Sequence, residues 1–191
     1  MDLAKINVER KNGNEKFQSG NEILNFELSD FWSWNQSNLV ENRTRGILAE
    51  FIIKKALKIK SESRIEWDNF DLISNKGKKL EIKSSSYIQS WEQERYSDIK
   101  FGISPTVGTI DNPKYDGNKR RWADFYIFCL LIHKDQSTIN PLDLKQWNFY
   151  ILETEILNKH KPEQKTIGLN SLLELKPIKC KFSEIMEIID K

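Results

Sequence analysis

Three residues with side chains that could bind a metal ion and act on a phosphate group are Asp71, Glu81 and Lys83. The alternating pattern of residues 79–84 predicts a strand, and residues two apart in a strand project from the same face. Glu81 and Lys83 are therefore expected side by side. A tight turn just before this strand pairs it with a preceding one, which allows Asp71 to lie opposite them.

Two carboxylates beside one ammonium call for a physical reason. At about 4 Å, two carboxylates repel each other by roughly 4 kcal/mol at an effective dielectric constant near 20. A divalent cation removes this cost, and an oxygen-only ligand set favours Mg²⁺, with Mn²⁺ as a substitute, over zinc. The neighbouring lysine can orient or deprotonate the attacking water, or stabilise charge on the transition state. These are the groups that a phosphodiesterase needs.

The tripeptide itself carries little information, because an acidic residue two positions before a lysine occurs six times in the chain. At Glu81, it coincides with a strand pattern, an aspartate ten residues earlier and a preceding helix that carries Glu50. The alternative interpretation is that Glu81 and Lys83 form the solvated face of an ordinary hairpin, since charge pairs on strands are common and contribute little.

The elements that must position these residues are predicted from hydrophobic periodicity. Residues 43–60 form one helix, because their apolar side chains fall within one half of a helical wheel with Glu50 just outside that stripe. Alternation or continuous apolar character predicts strands, and a turn joins the second and third of them at 75–77. The predicted strands are 64–67, 70–73, 79–84, 99–104, 123–132 and 147–152.

Helices are also expected at 154–159 and 182–190, and one begins near residue 28 with Ser29 or Asp30 as its N-cap. Together these elements predict an α/β fold with a restriction-endonuclease-like core, in which helices flank one mixed central β-sheet and an N-terminal helical extension precedes it. Residues 1–28 are polar and weakly patterned, which predicts a loosely packed arm before a single domain at 29–191.

Composition limits the class of protein. The chain has 191 residues, and 38% hydrophobic content is enough for a sizeable core, which excludes wholesale disorder. Thirty basic against 28 acidic residues leave a net charge of +2, which excludes a polybasic binder but allows a local basic groove. Two cysteines and two histidines make a zinc site improbable. No membrane span or signal peptide is recognisable, so we expect a cytoplasmic protein.

A long polar segment between residues 105 and 122 interrupts the strand pattern, and loops of this length in compact domains usually have a function or are disordered. Its basic residues form the best candidate for binding a nucleic-acid backbone, with the alternative that they merely solvate a loop. Ser84 could also donate a hydrogen bond to phosphate, or simply end a polar strand. The basic residues are Lys114, Lys119, Arg120 and Arg121.

Asp71 followed by Glu81-Ile82-Lys83, after a helix with Glu50 at the end of RGILAE (45–50), resembles the PD-(D/E)XK nuclease superfamily. The wider string LEIKSSSYIQSW (80–91) resembles a functionally unassigned bacterial branch of that superfamily. The superfamily likeness covers about residues 43–132, and the closer likeness runs from about residue 28 onward.

The resemblance implies that Asp71 and Glu81 bind Mg²⁺, that Lys83 acts on the attacking water, and that Glu50 assists the metal or its waters. Some branches place a glutamine just after the lysine strand at the site, which makes Gln89 a further candidate, although a capping or surface role is equally open. Phe70 departs from the motif, because a proline is expected there.

The implied function is Mg²⁺-dependent hydrolysis of phosphodiester bonds in DNA, by extrapolation in restriction, defence or repair. A homodimer is a natural expectation for cutting both strands, and a methyltransferase or defence-system subunit is a conceivable partner. One alternative is a catalytically silent nuclease-fold protein that binds nucleic acid or serves as a subunit of a complex. Another is a structural or interaction module in which the hairpin charges are incidental.

Overall fold

The computed structural model describes residues 8–60, 69–108 and 116–191. A mixed five-stranded β-sheet forms the centre, and helices flank it. The predicted fold class is therefore confirmed. The predicted strand at 64–67 lies outside the described residues.

Nine strands and five α-helices occur in the described residues, together with two short 3₁₀ turns. The strands are β1 (Lys16–Ser19), β2 (Glu22–Glu27), β3 (Leu72–Ile73), β4 (Lys79–Ser86), β5 (Lys100–Gly102), β6 (Phe125–Leu131), β7 (Trp147–Glu153), β8 (Thr166–Gly168) and β9 (Ile178–Cys180). The helices are α1 (Leu28–Gln36), α2 (Asn42–Ala56), α3 (Thr154–His160), α4 (Leu169–Glu174) and α5 (Ile185–Ile189).

The order of strands in the central sheet is β3-β4-β6-β7-β9. Strands β4 and β6 are parallel, and the other neighbouring pairs are antiparallel. Because parallel strands require a crossover, the chain leaves the sheet after β4, forms β5 outside it, and returns at β6. The register places Glu81 beside Tyr126 and Lys83 beside Phe128.

Each face of this sheet packs on its own apolar cluster. Leu80 and Ile82 of β4 join the cluster that covers α2, together with Ile53 and Leu57 of that helix. Tyr126, Phe128 and Leu130 of β6 join a second cluster with residues of β5, β8 and α4. Alternation along β4 therefore places Glu81 and Lys83 on the face of the second cluster, opposite α2.

Several element boundaries differ from the prediction. Helix α2 ends at Ala56 rather than near residue 60, because Lys58 adopts the left-handed conformation with φ 52°, which terminates helices. Strand β3 contains only Leu72 and Ile73 of the predicted 70–73. The final helix begins as a 3₁₀ turn at Phe182–Glu184. Strands β8 and β9 and helix α4 were not predicted.

The N-terminal region contains more regular structure than its polar sequence suggests. Strands β1 and β2 form a hairpin with exposed side chains, and α1 follows it directly. The N-cap of α1 is Glu27, not Ser29 or Asp30, because Asp30 occupies position N3 and accepts the Glu27 N–H at 2.7 Å. The division into an arm and one domain stays a prediction. Among the described residues, none of the helices combines the length and apolar character that crossing a membrane requires.

Candidate active site

The β3–β4 hairpin brings Asp71 to Glu81 and Lys83, as the sequence predicted. The turn is tight, with Gly77 at φ 80°, and the Ser74 N–H donates to the Lys78 carbonyl at 2.8 Å. Just before β3, the Asp71 N–H donates to the Leu80 carbonyl at 2.9 Å. Asp71 therefore lies across from the middle of β4.

The Asp71 carboxylate is fixed by the backbone of the neighbouring strand. Its Oδ2 atom accepts the Ile82 N–H at 2.6 Å, which leaves Oδ1 as the oxygen for another ligand. Glu81 and Lys83 form an ion pair on the face of β4 that the sequence assigned to them. Their side chains are 19% and 31% exposed, so a phosphate group from solution can reach them.

The pKa of the Asp71 carboxyl is raised well above its ordinary value. Burial raises its pKa from the ordinary value of 3.8 to about 7, and the negative charge of Glu81 adds to this rise. Lys83 and the Ile82 N–H act in the opposite direction but do not cancel it. Without a further cation, the single positive charge of Lys83 therefore does not balance the negative charges of both Asp71 and Glu81.

Lys83 responds to the same charges with the opposite sign. Burial alone would lower its pKa, but the carboxylates of Glu81 and Asp71 outweigh burial and raise the pKa above its ordinary value of 10.5. Lys83 therefore carries its positive charge at neutral pH. A charged ammonium can bind phosphate and stabilise negative charge, but it cannot accept a proton from water.

Glu50 lies on α2, which packs on the opposite face of the sheet. Its charge contributes to the raised pKa values of both Asp71 and Lys83, so it acts on the site electrostatically. Within residues 8–60, 69–108 and 116–191, no three His, Cys, Asp or Glu side chains form a group that could hold a metal ion. Glu50 therefore does not complete a preformed three-ligand set with Asp71 and Glu81.

The two carboxylates nevertheless fit a hard cation. They supply only oxygen ligands. Burial and, next, the charge of Glu81 raise the pKa of Asp71, and a cation between the two carboxylates would oppose this rise. Mg²⁺ is usually bound by one or two carboxylates plus water and phosphate oxygens, and not by a complete protein cage. Asp71 and Glu81 match that pattern.

Tyr126 belongs to the site, although the sequence analysis did not single it out. It pairs with Glu81 in the β4–β6 register and is buried. Burial raises the pKa of its phenol above the ordinary value, and Glu81 and Asp71 add to this rise while Arg121 opposes it. Tyr126 lies within residues 123–132, whose continuous apolar character predicted a strand but did not single out one side chain. The pairing of Tyr126 with Glu81 depends on the register between β6 and β4, which cannot be read from the sequence, so Tyr126 could not be predicted as a site residue.

Gln89 does not reach the site by any hydrogen bond in the described residues. Its Nε2 donates to the Ser86 carbonyl at 2.8 Å, and its Oε1 accepts from Arg45 at 3.4 Å. Arg45 is itself buried, and its guanidinium also donates to Val40 and Asn42. Burial lowers the pKa of Arg45 to about 10. The pair links the first turn of α2 to the end of β4.

The four basic residues proposed to bind a nucleic-acid backbone do not share one environment. Lys114 lies outside the described residues, and Lys119 is exposed. Arg120 pairs with Asp116, and its guanidinium lies 4.9 Å from the ring centre of Trp122. Arg120 and Lys119 thus remain at the surface.

Arg121 has a structural position that does not fit phosphate binding. It is buried, and its guanidinium donates to the Ile103 carbonyl at 2.7 Å, to Asn158 at 2.8 Å and to the Lys161 carbonyl at 2.7 Å. These bonds tie the start of β6 to β5 and α3. The sequence placed Arg121 in a charged run, and only the fold shows that its side chain turns inward.

Ser84 is also separated from the catalytic candidates. It pairs with Cys129, which belongs to the apolar cluster under α2, so Ser84 lies on the face opposite Lys83. The structure brings together Asp71, Glu81 and Lys83, with Glu50 in electrostatic range, and leaves Ser84, Gln89 and Arg121 elsewhere.

Comparison with known proteins identifies the family. No curated protein matches the chain significantly. A family model described as bacteriophage T4 endonuclease IV matches residues 10–171, a span that contains the whole β3–β4 hairpin, α2 and β6. The match covers most of the 191 residues, and this chain therefore belongs to the bacteriophage T4 endonuclease IV family, a family of nucleases.

Proposed function

We propose that this chain is a metal-dependent endonuclease that hydrolyses phosphodiester bonds in DNA. The observation that supports this best is the meeting of two carboxylates and a charged lysine, all partly open to solvent, on the β3–β4 hairpin. The family description names an endonuclease, and the arrangement of Asp71, Glu81 and Lys83 is the one that the PD-(D/E)XK resemblance implies.

In this proposal, Asp71 and Glu81 would hold Mg²⁺, which would supply charge neutralisation at the scissile phosphate and acidify a bound water. The Ile82 N–H keeps the Asp71 carboxylate oriented while it does so. Glu50 adds negative charge on the side of α2 and favours a cation in the site.

In the site without a metal ion, Lys83 is a cation that can bind phosphate and not a base. Since its pKa is raised, it stays protonated at neutral pH and its three N–H donors can bind a phosphate oxygen. In the resting site, this ammonium pairs with Glu81. The same ammonium can donate a further N–H to a phosphate oxygen and stabilise the negative charge that develops there.

Supercoiled plasmid incubated with purified protein in Mg²⁺, Mn²⁺ or chelator tests the proposal. We expect cleavage in both metals, none in chelator, and a loss of at least about 100-fold for Lys83→Ala, since removing one electrostatic contact to a transition state typically costs 10²–10³. Lys165→Ala is the matched control, because Lys165 ends another acid-x-Lys tripeptide but lies exposed at the surface.

Each alternative gives a different result. Binding of plasmid without cleavage in any metal supports a catalytically silent nuclease fold. Neither binding nor cleavage, with no heat of Mg²⁺ binding by calorimetry, supports a structural module. Cleavage by Lys83→Ala within a few-fold of the Lys165→Ala control would refute the assigned site, provided that both variants melt like the wild-type protein.

A further inference from the structure

A cavity lies next to the segment that follows β4. It has a volume of about 460 Å³, within the roughly 300–1,000 Å³ typical of ligand sites. We call this cavity the β4-end pocket. Ile88 forms part of its wall, and the rest of the lining is polar or aromatic: Gln93, Glu94, Arg95, Tyr96, Lys134 and Gln136.

The walls of the β4-end pocket are held in place by hydrogen bonds. Gln93 accepts the Gln89 N–H at 2.6 Å and donates to Ser97 Oγ at 3.0 Å. The Ser97 N–H closes the loop on the Tyr87 carbonyl at 2.9 Å. The Tyr96 hydroxyl donates to the Lys134 carbonyl at 2.9 Å, which ties the loop to the segment after β6. The pocket is thus preorganised.

The groups that face the pocket offer an aromatic ring face, hydrogen-bond donors, hydrogen-bond acceptors and a positive charge. Tyr96 is 51% exposed and offers a ring face. Arg95 and Glu94 are exposed donors and acceptors, and neither side chain has a hydrogen bond or ion pair among the described residues. The Lys134 ammonium lies 4.3 Å from the ring centre of Tyr87 and 5.3 Å from that of Tyr96.

This combination fits a nucleotide better than simpler ligands. A free phosphate would use Arg95 and Lys134 but not the ring of Tyr96, and a purely apolar ligand would use the ring but none of the charged side chains. A nucleobase has a face that stacks on an aromatic ring and an edge with both donors and acceptors. The adjoining phosphate complements an exposed lysine.

The β4-end pocket is linked to the sheet face of Glu81 and Lys83 through Lys134, which lines the pocket and contacts the ring of Tyr87. Tyr87 packs against the apolar cluster of Tyr126 and Phe128, the residues that flank Glu81 and Lys83 in the sheet register. Ile88 follows Lys83 by five residues, which is at most about 17 Å of strand. A nucleic-acid strand that places a phosphate at Lys83 covers this distance within a few nucleotides.

We propose that the β4-end pocket binds one nucleobase of the DNA strand that is cut, a few nucleotides from the scissile phosphate. Tyr96 stacks on the base, Arg95 and Glu94 bind its edge, and Lys134 binds the neighbouring phosphate. This proposal rests on the proposed function, because it requires DNA at the hairpin site.

The proposed base contact is tested by measuring the binding of two labelled DNA strands of equal length. One strand has ordinary bases, and the other has abasic sugars throughout. Fluorescence anisotropy is measured in the Lys83→Ala background so that the strands stay intact. The ratio of the two affinities reports contacts to bases alone, since both strands carry the same phosphates. We expect Tyr96→Leu to reduce this ratio about 5- to 150-fold, the effect of losing one stacked base.

Tyr96→Phe is the matched control, because it keeps the ring and removes only the hydroxyl bond to Lys134. It should leave the ratio within about two-fold of the parent protein. An unchanged ratio in Tyr96→Leu, equal weakening of both strands, or no binding of ordinary strands by the parent overturns the pocket assignment. Base-dependent binding in a protein that cleaves no DNA would instead overturn the proposed hydrolysis and leave the pocket in place.

Discussion

The burial of Asp71 and its repulsion by Glu81 should make the metal-free protein less stable at high pH than at low pH. The folded-state pKa of Asp71 is about 7, against an ordinary value of 3.8. Between these values, the folded protein keeps a proton that the unfolded chain has released, so the free energy of unfolding falls as pH rises. The decline should begin near pH 4 and level off above about pH 7.

The size of the effect follows from the shift in pKa. About three pKa units at 1.36 kcal/mol each give an upper limit of roughly 4 kcal/mol. Asp71 is only partly buried, so solvent screening reduces the effect to about 2 kcal/mol. Asp71→Asn has nearly the same shape and keeps an oxygen for the Ile82 N–H but carries no charge, so it should abolish this decline.

Thermal melting in chelator at pH 5 and pH 8 measures the prediction. For a chain of this length, about 2 kcal/mol corresponds to a rise in Tm of roughly 4–8 °C for Asp71→Asn at pH 8, and the rise should be much smaller at pH 5. Asp98→Asn is the matched control, because Asp98 is an exposed aspartate in a loop. Its Tm should follow the wild-type protein at both pH values.

Added Mg²⁺ should reverse the order of stability. A ligand that binds only the folded state raises Tm with its concentration, and Asp71→Asn loses one of the two proposed ligands. We expect Mg²⁺ to raise the Tm of the wild-type protein at pH 8 and to have little effect on the variant. If Asp71→Asn melts at or below the wild-type Tm at pH 8 in chelator, the electrostatic reasoning about this site is wrong.

Three further predictions concern residues away from the site that stabilise the fold. Arg121→Ala should lower the free energy of unfolding by about 3 kcal/mol in urea titrations, because it leaves the buried Ile103 carbonyl and the partly buried Lys161 carbonyl without their donor, whereas Lys119→Ala should stay within about 0.5 kcal/mol. Gly108→Ala should cost about 1–3 kcal/mol and change tryptophan fluorescence, because Gly108 has φ 77° and a new Cβ would lie 2.6 Å from the Trp122 ring. Gln89→Leu should cost about 1–3 kcal/mol in the same titrations by removing the Arg45 contact, and equal stability to wild type would contradict the proposed link.

The sequence by itself determined the local elements that carry the site. The apolar stripe of α2, the alternation in β4 and the turn at Gly77 depend on neighbouring residues and hold in the structure. Because side chains in a strand alternate, Glu81 and Lys83 share a face wherever the hairpin packs. The short β8 and β9 escaped prediction, since three residues contain too little periodicity to be recognised.

Only the tertiary structure decided which polar residues are available for binding. Arg121 and Lys119 belong to one basic run, yet Arg121 is buried against backbone carbonyls of distant segments and Lys119 is exposed. Likewise, Tyr126 meets Glu81 through a parallel pairing between strands 45 residues apart. The first case depends on backbone carbonyls that need a hydrogen-bond donor once the chain has folded, and the second on the register between distant strands. Neither can be read from the residues next to Arg121 or Tyr126 in the sequence.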